Sequence, residues 1–377
     1  VTGFGTVSDL TDEQRMLREG LTKFLERHYD LATSRAAVKT GPGWQPEVWR
    51  AFADDLGLIG ATLPESVGGS GGGPTELGII VEALGHALVV EPYVETAVLG
   101  AGLLRRAGGA RAADVLAGIV AGTAITAFAG PDLDTTTTTA RRDGDDWVLA
   151  GAKTVVTAAP LATHLLVTAA TASGSSLFLV EPSAAGLTMH PLRTVDDRVA
   201  ADLEFGDLRL PADALLGAEG QAGPVVARTV DEACAAVCAE AVGVLRKVLA
   251  DTVEYTKQRA QFGQPISRFQ VLQHRMVDMY LEVEQAAAAV QLALSAMALP
   301  TSDEPDPERA RAVSAAKVTV ARAARFVGQN AVQLHGGMGM TEELAVGHYF
   351  KRLTAVEHEF GTAAAHLARY AALTRPS

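Results

Sequence analysis

The sequence predicts an α+β protein, mostly α, in which a β domain is set between two helical ones. Three observations carry that prediction. Apolar residues recur at helical spacing through residues 1–121. Short alternating or β-branched runs, separated by Gly-Asp and Ser-Gly turns, fill residues 122–222. Long stretches rich in Ala, Leu, Arg and Val then return as a helical bundle over residues 223–377. A chain of 377 residues is long enough for this organisation and for an ample core.

Taken in order, Asp9 or Thr11 can cap a first helix that carries Leu17, Leu21, Phe24 and Leu25 on one face. Trp49, Phe52, Ala53 and Leu56 repeat the pattern until Gly57, which marks a stop. The glycine-dense stretch Leu63 to Gly71 reads as a loop; such a loop can cradle a phosphate, but no Lys-Ser/Thr follows. A further helix begins near Thr75-Glu76 and runs to about Leu88. Strands are expected at Trp147 to Leu149, Lys153 to Thr157, His164 to Val167, Leu177 to Val180 and Ala201 to Phe205, together forming an antiparallel barrel or sandwich. The threonine run Thr135 to Thr139 favours extended backbone, and composition gives it no role. Later, Thr301 to Pro307 reads as an interhelical loop. The apolar run Ala286 to Leu299 is interrupted by Gln291 and Ser295 and is shorter than a membrane span, so it reads as a packed bundle helix.

The formal net charge of −12 argues against a nucleic-acid partner, since phosphate backbones need clustered Lys and Arg, but it leaves room for a local basic site. Cys234 and Cys238 lie four apart on one expected helix face, with no His or Cys neighbours in sequence to complete a metal site. They read as small core residues, and no metal is expected. No basic segment leading into an apolar one is visible from Val1 to Gly5, and a cytoplasmic setting is expected.

Two motifs narrow the reading. Arg259-Ala260-Gln261-Phe262-Gly263, followed by Ile266 and Gln270, forms an R-x-x-F-G-x-x-I-x-x-x-Q pattern. Gln333-Leu334-His335-Gly336-Gly337 opens a second segment that leads to Phe360-Gly361-Thr362. With the loop Leu63 to Gly71 and Glu76-Leu77, these resemble the acyl-CoA dehydrogenases, in the right order and over essentially the whole chain. The resemblance implies a flavoprotein whose cofactor, FAD, is contacted by Arg259, Gln261, Phe262, Gln270, Gln333, Leu334, His335, Gly336, Gly337 and Thr362. It places several of these contacts on the adenine and pyrophosphate of an FAD lodged mainly in a neighbouring subunit. The chemistry agrees: a guanidinium offers a planar donor fork for pyrophosphate oxygens, and paired glycines let backbone approach a ligand.

In that family a glutamate removes the α proton of an acyl-CoA thioester. The resemblance places it either directly before Gly-Thr, which here is Phe360, or ten residues before Gly243, which here is Ala233. Neither can accept a proton. Glu359 and Glu232 lie one residue away, where helix geometry turns a side chain by about 100°, and Asp231 lies two away, so they read as solvated or ion-paired surface charge. Glu359 and Glu232 remain the candidate displaced bases, and Glu240 lies two turns further along. The family arginine beside the second position is replaced by Cys234. The loop that holds flavin and substrate in relatives corresponds to Ala127 to Asp134, and the aromatic strand behind the flavin ring to Val155 to Ala158. Only Thr157 keeps the family residue there.

The resemblance therefore implies a subunit of a heteromeric, α2β2 acyl-CoA dehydrogenase, as in actinobacterial steroid side-chain degradation. A homologous partner would supply the base and the flavin-ring pocket, while this chain clamps FAD across the interface. The alternatives are a self-sufficient homo-oligomer with a displaced base, a flavin-free structural subunit, and a related oxidase or monooxygenase.

Overall fold

The computed structural model describes residues 10–130, 138–298 and 306–375. Among these, six α-helices come first: α1 Asp12–His28, α2 Leu31–Thr40, α3 Pro46–Asp54, α4 Pro74–His86, α5 Ala101–Ala107 and α6 Ala110–Val120. Thr11 caps α1 in a full capping box with Gln14, whereas Asp9 lies outside the described residues. A π-helical turn, Val94–Gly100, runs into α5. The glycine-dense loop uses its own amides: Gly69 N donates to Pro64 O, Gly71 N to Leu63 O, Gly72 N to Ala61 O, and Gly73 N to the Glu76 carboxylate. Those amides already have acceptors, so the loop is a folded turn rather than a phosphate cradle.

Among the described residues eight strands follow: β1 Thr126–Ala129, β2 Thr139–Asp143, β3 Asp146–Thr157, β4 His164–Thr171, β5 Gly174–Val180, β6 Leu187–Arg193, β7 Val199–Leu210 and β8 Leu215–Leu216. They form one sheet in the order β6-β7-β3-β2-β4-β5-β8, with β1 beside β4. The sheet is not purely antiparallel, which corrects the sequence expectation. β1 runs parallel to β4 with Thr126 opposite His164, and Thr139 of β2 pairs in parallel with Ala170. A parallel pair needs a crossover rather than a hairpin, and here the intervening chain brings β1 back beside β4. Trp147 and Phe178 meet edge to face at the centre of a β core of its own. Thr138 is buried and donates to Ala152 O, while Thr135 to Thr137 lie outside the described residues.

The last part holds α7 Ala222–Gln258, a two-stranded turn (β9 Ala260–Gln261, β10 Gln264–Pro265), α8 Gln270–Ala298, α9 Pro307–His335, α10 Val346–Val356 and α11 Ala363–Thr374. Asp306 caps α9; residues 301–305 of the expected loop lie outside the described residues. α7 crosses α4 closely because both helices present glycine: a Cβ on Gly243 would sit 2.0 Å from Glu82 O, and one on Gly85 2.1 Å from Glu240 O. This contact brings the first helical layer against the last one and fixes Glu240 at the junction of all three regions. The run Ala286 to Ala298 sits on α8, with Ala286, Ala287, Val290, Ala293 and Leu294 buried in the bundle. No helix among the described residues is long and apolar enough to cross a membrane.

Candidate functional site

Phe360 sits in a turn between α10 and α11 at φ 55°, a conformation unusual for a bulky residue, and its ring packs half-buried against the main core. The turn is held from several sides. Lys317, wholly buried on α9, donates to Val356 O and, at 2.6 Å, to Glu359 O. His366 Nε2 lies 2.8 Å from Phe360 O, and Thr362 caps α11 by accepting from Ala365 N. Backbone at the first base position is therefore firmly placed, and its side chain is apolar.

The neighbouring carboxylates are all engaged. Glu359 receives Arg352 Nη1 at 2.6 Å and Nη2 at 3.0 Å. Glu232 receives Arg106 Nη1 at 2.9 Å in a two-pronged contact and lies 3.5 Å from Arg228. Asp231 is clamped by Arg369 through both of its oxygens. They are ion-paired as expected, but Asp231 is 2% exposed, so its charge is not a surface charge. Ala233, next to Glu232 on α7, is fully buried. Cys234 and Cys238 are buried core residues; a hydrogen bond to Cys238, then burial, keeps the Cys234 thiol well above its ordinary pKa.

Behind the turn lies an ionic junction. Arg352, 1% exposed, donates from Nε and Nη2 to the two oxygens of Glu240 at 2.8 Å each and from Nη1 to Asp196 at 3.0 Å. Arg198 adds Glu240 at 2.7 Å and the Val89 carbonyl at 3.1 Å. Burial alone would raise the pKa of Glu240, but Arg198 and Arg352 pull it below the ordinary carboxylate value. Asp196 is held down in the same way, by Arg352 and then Arg198. Glu95, on the π-helical turn, is the exception. Its Oε1 is 3.9 Å from Arg198, its Oε2 has no hydrogen-bond partner, and burial raises its pKa.

The cofactor candidates lie elsewhere. Arg259 follows α7; its backbone N–H donates to Tyr255 O, its carbonyl accepts from Ile266 N, and its side chain is exposed. Phe262 stands at the tip of the β9–β10 turn, 89% exposed and at φ 54°, with Gln261 and Gln270 also exposed. Tyr255 joins this edge to the second motif: its ring stacks on His335 at 4.3 Å and its hydroxyl donates to His335 O. Leu334 and His335 point inward, His335 Nδ1 lying 2.8 Å from Ala331 O, while Gln333, Gly336 and Gly337 are exposed. Gly336 has φ 60°, and no atom lies within 4 Å of a Cβ built on it or on Gly337. Thr362 lines a separate cleft of about 570 Å³ with Arg325, Phe326 and Gln329. The Gly336 N–H is used within the chain, donating to Gln333 O, but the two exposed glycines leave room for a ligand to approach the backbone, and with the exposed guanidinium and aromatic ring of the Arg259 edge they fit part of a dinucleotide. The expected flavin-ring strand is less suited. Val155 lies in a bulged part of β3 at φ 50° and 53% exposed, its N–H donating to Asp202, and Ala158 is buried. Of the loop from Ala127, residues 131–134 lie outside the described residues.

Sequence reasoning did not find Arg198, Arg352, Asp196 or Glu95, and it passed over Glu240. A charged residue inside the apolar pattern Tyr349, Leu353, Val356 was the signal available for Arg352.

Comparison with known proteins follows the same lines. Residues 11–123 match the acyl-CoA dehydrogenase N-terminal domain, 123–208 the middle domain and 223–372 the C-terminal domain. A probable acyl-CoA dehydrogenase of Bacillus subtilis, YngJ, is 30% identical over 94% of this chain and 96% of its own. Among solved structures, the ChsE4-ChsE5 complex from Mycobacterium tuberculosis superposes with a TM-score of 0.89 at 27% identity, covering 99% of this chain and 100% of that one. A Tcur3481-Tcur3483 steroid ACAD variant gives 0.86 at 29%, covering 96% and 97%.

Proposed function

The chain belongs to the acyl-CoA dehydrogenase family, and on that premise we propose that it is one subunit of a heteromeric, FAD-dependent acyl-CoA dehydrogenase. The reaction is α,β-dehydrogenation of an acyl-CoA thioester, with steroid side-chain thioesters the substrate class suggested by the steroid relative. A homologous partner, in an α2β2 assembly, supplies the catalytic carboxylate. The observation that carries this reading is the state of the carboxylates. Both base positions are apolar, and Glu359, Glu232 and Asp231 are each held by an arginine. A general base needs oxygens free to reach the substrate proton, and a two-pronged guanidinium contact occupies both oxygens of the carboxylate.

When bound, FAD supplies the acceptor for the hydride leaving the β carbon. Arg259 is placed to pair with pyrophosphate oxygens, Phe262 to pack on the cofactor, and the exposed Gly336-Gly337 backbone to approach its adenylate end. Gln261, Gln270 and Gln333 offer amides around them. All these groups project outward, which suits a cofactor seated in a neighbouring subunit.

The competing reading, a displaced base on this chain, is tested by Glu359→Gln and Glu232→Gln in the co-purified complex. Dye reduction with acyl-CoA should stay within about twofold of the parent. A drop of roughly a hundredfold or more, the scale of a lost general base, would return the base to this subunit.

A further inference from the structure

Outside the proposed cofactor edge and the Phe360 turn, α2, α10 and the turn 194–198 meet at a seam rich in cations. Arg35 on α2 is 7% exposed, and its Nε and Nη2 have no hydrogen-bond partner; its closest carboxylate oxygen, on Asp197, is 3.9 Å from Nη1. His348 on α10 is 8% exposed, and its Nδ1 likewise has no partner. Lys351 shares the same Asp197 at 3.6 Å, and Lys39 pairs with Glu342. With Arg198 and Asp196, which also act on Arg35, four permanent cations thus face three carboxylates, and Asp197 serves two of the cations. His348 also lines a cavity of about 220 Å³ together with Gly339 to Glu342, Gly347 and Lys351.

Buried donors are rarely left unpaired, because each one forfeits its hydration without recovering a bond. A water molecule could satisfy the hydrogen bonds but would leave the excess charge in place. A small oxyanion does both, and a guanidinium with two unused donors matches two oxygens of one such group. We propose that the seam between Arg35 and His348, entered from this cavity, is a binding site for a small oxyanion, a phosphate or a carboxylate. The bound group would tie together α2, α10 and the turn 194–198, one element from each region of the fold. The site uses none of the proposed flavin contacts and does not depend on the heteromeric reading.

Burial, then Arg35 and Lys351, holds the His348 pKa below its ordinary value; Lys39 adds to this, and Asp197 opposes it. An anion beside the ring would reverse that shift, so binding takes up a proton and strengthens as pH falls.

The test is calorimetric titration of the full chain, or of its native complex, with inorganic phosphate and separately with succinate, which distinguishes the two sources. Saturable binding of either, weakened roughly tenfold or more by Arg35→Leu, is expected. Sulfate, whose charge is constant between pH 6 and 8, should bind more tightly at the lower pH in the parent and lose that dependence in His348→Gln. Should Arg35→Leu fail to fold, His348→Leu at the cavity wall carries the comparison. No saturable binding of phosphate or succinate up to about 10 mM, or binding that both the Arg35 and the His348 substitutions leave unchanged, would overturn the proposal.

Discussion

The turn at Phe360 and the edge at Arg259 are built in opposite ways. Around Phe360 nearly every polar group is already matched: Lys317 and His366 hold the backbone, and Arg352 holds Glu359, Glu240 and Asp196. Around Arg259 the charged, amide and aromatic side chains stand in solvent, and Gly336 and Gly337 are exposed with nothing crowding them. One region has satisfied its chemistry internally, whereas the other is arranged to satisfy it with something outside the chain. A site that must release and recapture a proton cannot have all its carboxylates locked to guanidiniums. That difference is why the base is assigned to a partner and the cofactor contacts to this subunit.

Removing the hub of the first region should give the largest effect. Arg352→Met leaves Glu240, Asp196 and Glu359 with fewer partners in a buried setting, and breaking a buried ion pair from one side costs about 3–5 kcal/mol. Chemical denaturation of the lone chain should show a loss of that order. A loss under about 1 kcal/mol would mean that the junction is not the internally balanced unit described.

The second region should respond in the other coordinate. Arg259→Ala removes an exposed side chain, so the stability of the lone chain should stay within about 0.5 kcal/mol of the parent. In the complex it should weaken FAD binding by about 1.5–3 kcal/mol, the worth of a charged hydrogen bond. Fluorescence titration of the apo complex measures this, and an unchanged dissociation constant would remove Arg259 from the cofactor site.

The smallest effect concerns Glu95, the carboxylate least matched within the junction. Burial, only partly offset by Arg198, raises its pKa above the ordinary 4.5. Its contribution to stability is therefore complete below the ordinary value and is lost as pH rises through the raised one. Asp196 and Glu240, held low by Arg352 and Arg198, behave in reverse: their contributions are present above the ordinary value and lost on acidification through the lowered ones. Glu95→Gln should accordingly flatten the decline in melting temperature from pH 5 upward without changing the acid limb. An unaltered slope above pH 5 would place Glu95 among the matched carboxylates.

How much of this was legible in the sequence depends on the range of the interactions involved. Leu17, Leu21 and Phe24 announce α1 by spacing alone, and the β-branched run Lys153 to Thr157 announces β3, because both periods are local. β1 escaped notice since Thr126 to Ala129 is four residues long and pairs in parallel with a strand beyond β2 and β3. The Arg259 and Gly336 motifs were readable because each is contiguous. The junction was not, since Arg352 meets Glu240 across 112 positions and Asp196 across 156. Position alone could show that Phe360 and Ala233 carry no base. It could not show that Glu359 and Glu232, the nearest substitutes, are clamped, the first by Arg352 only seven positions away but past the end of a helix, the second by Arg106 across 126 positions.

The most direct measurement is flavin content by absorbance, compared between the purified lone chain and the native complex recovered with its homologous partner. The contrast between the two regions predicts a colourless lone chain without acyl-CoA-dependent dye reduction, and a yellow, active complex. A lone chain that purifies with full FAD and full activity would contradict the assignment of the base to a second subunit.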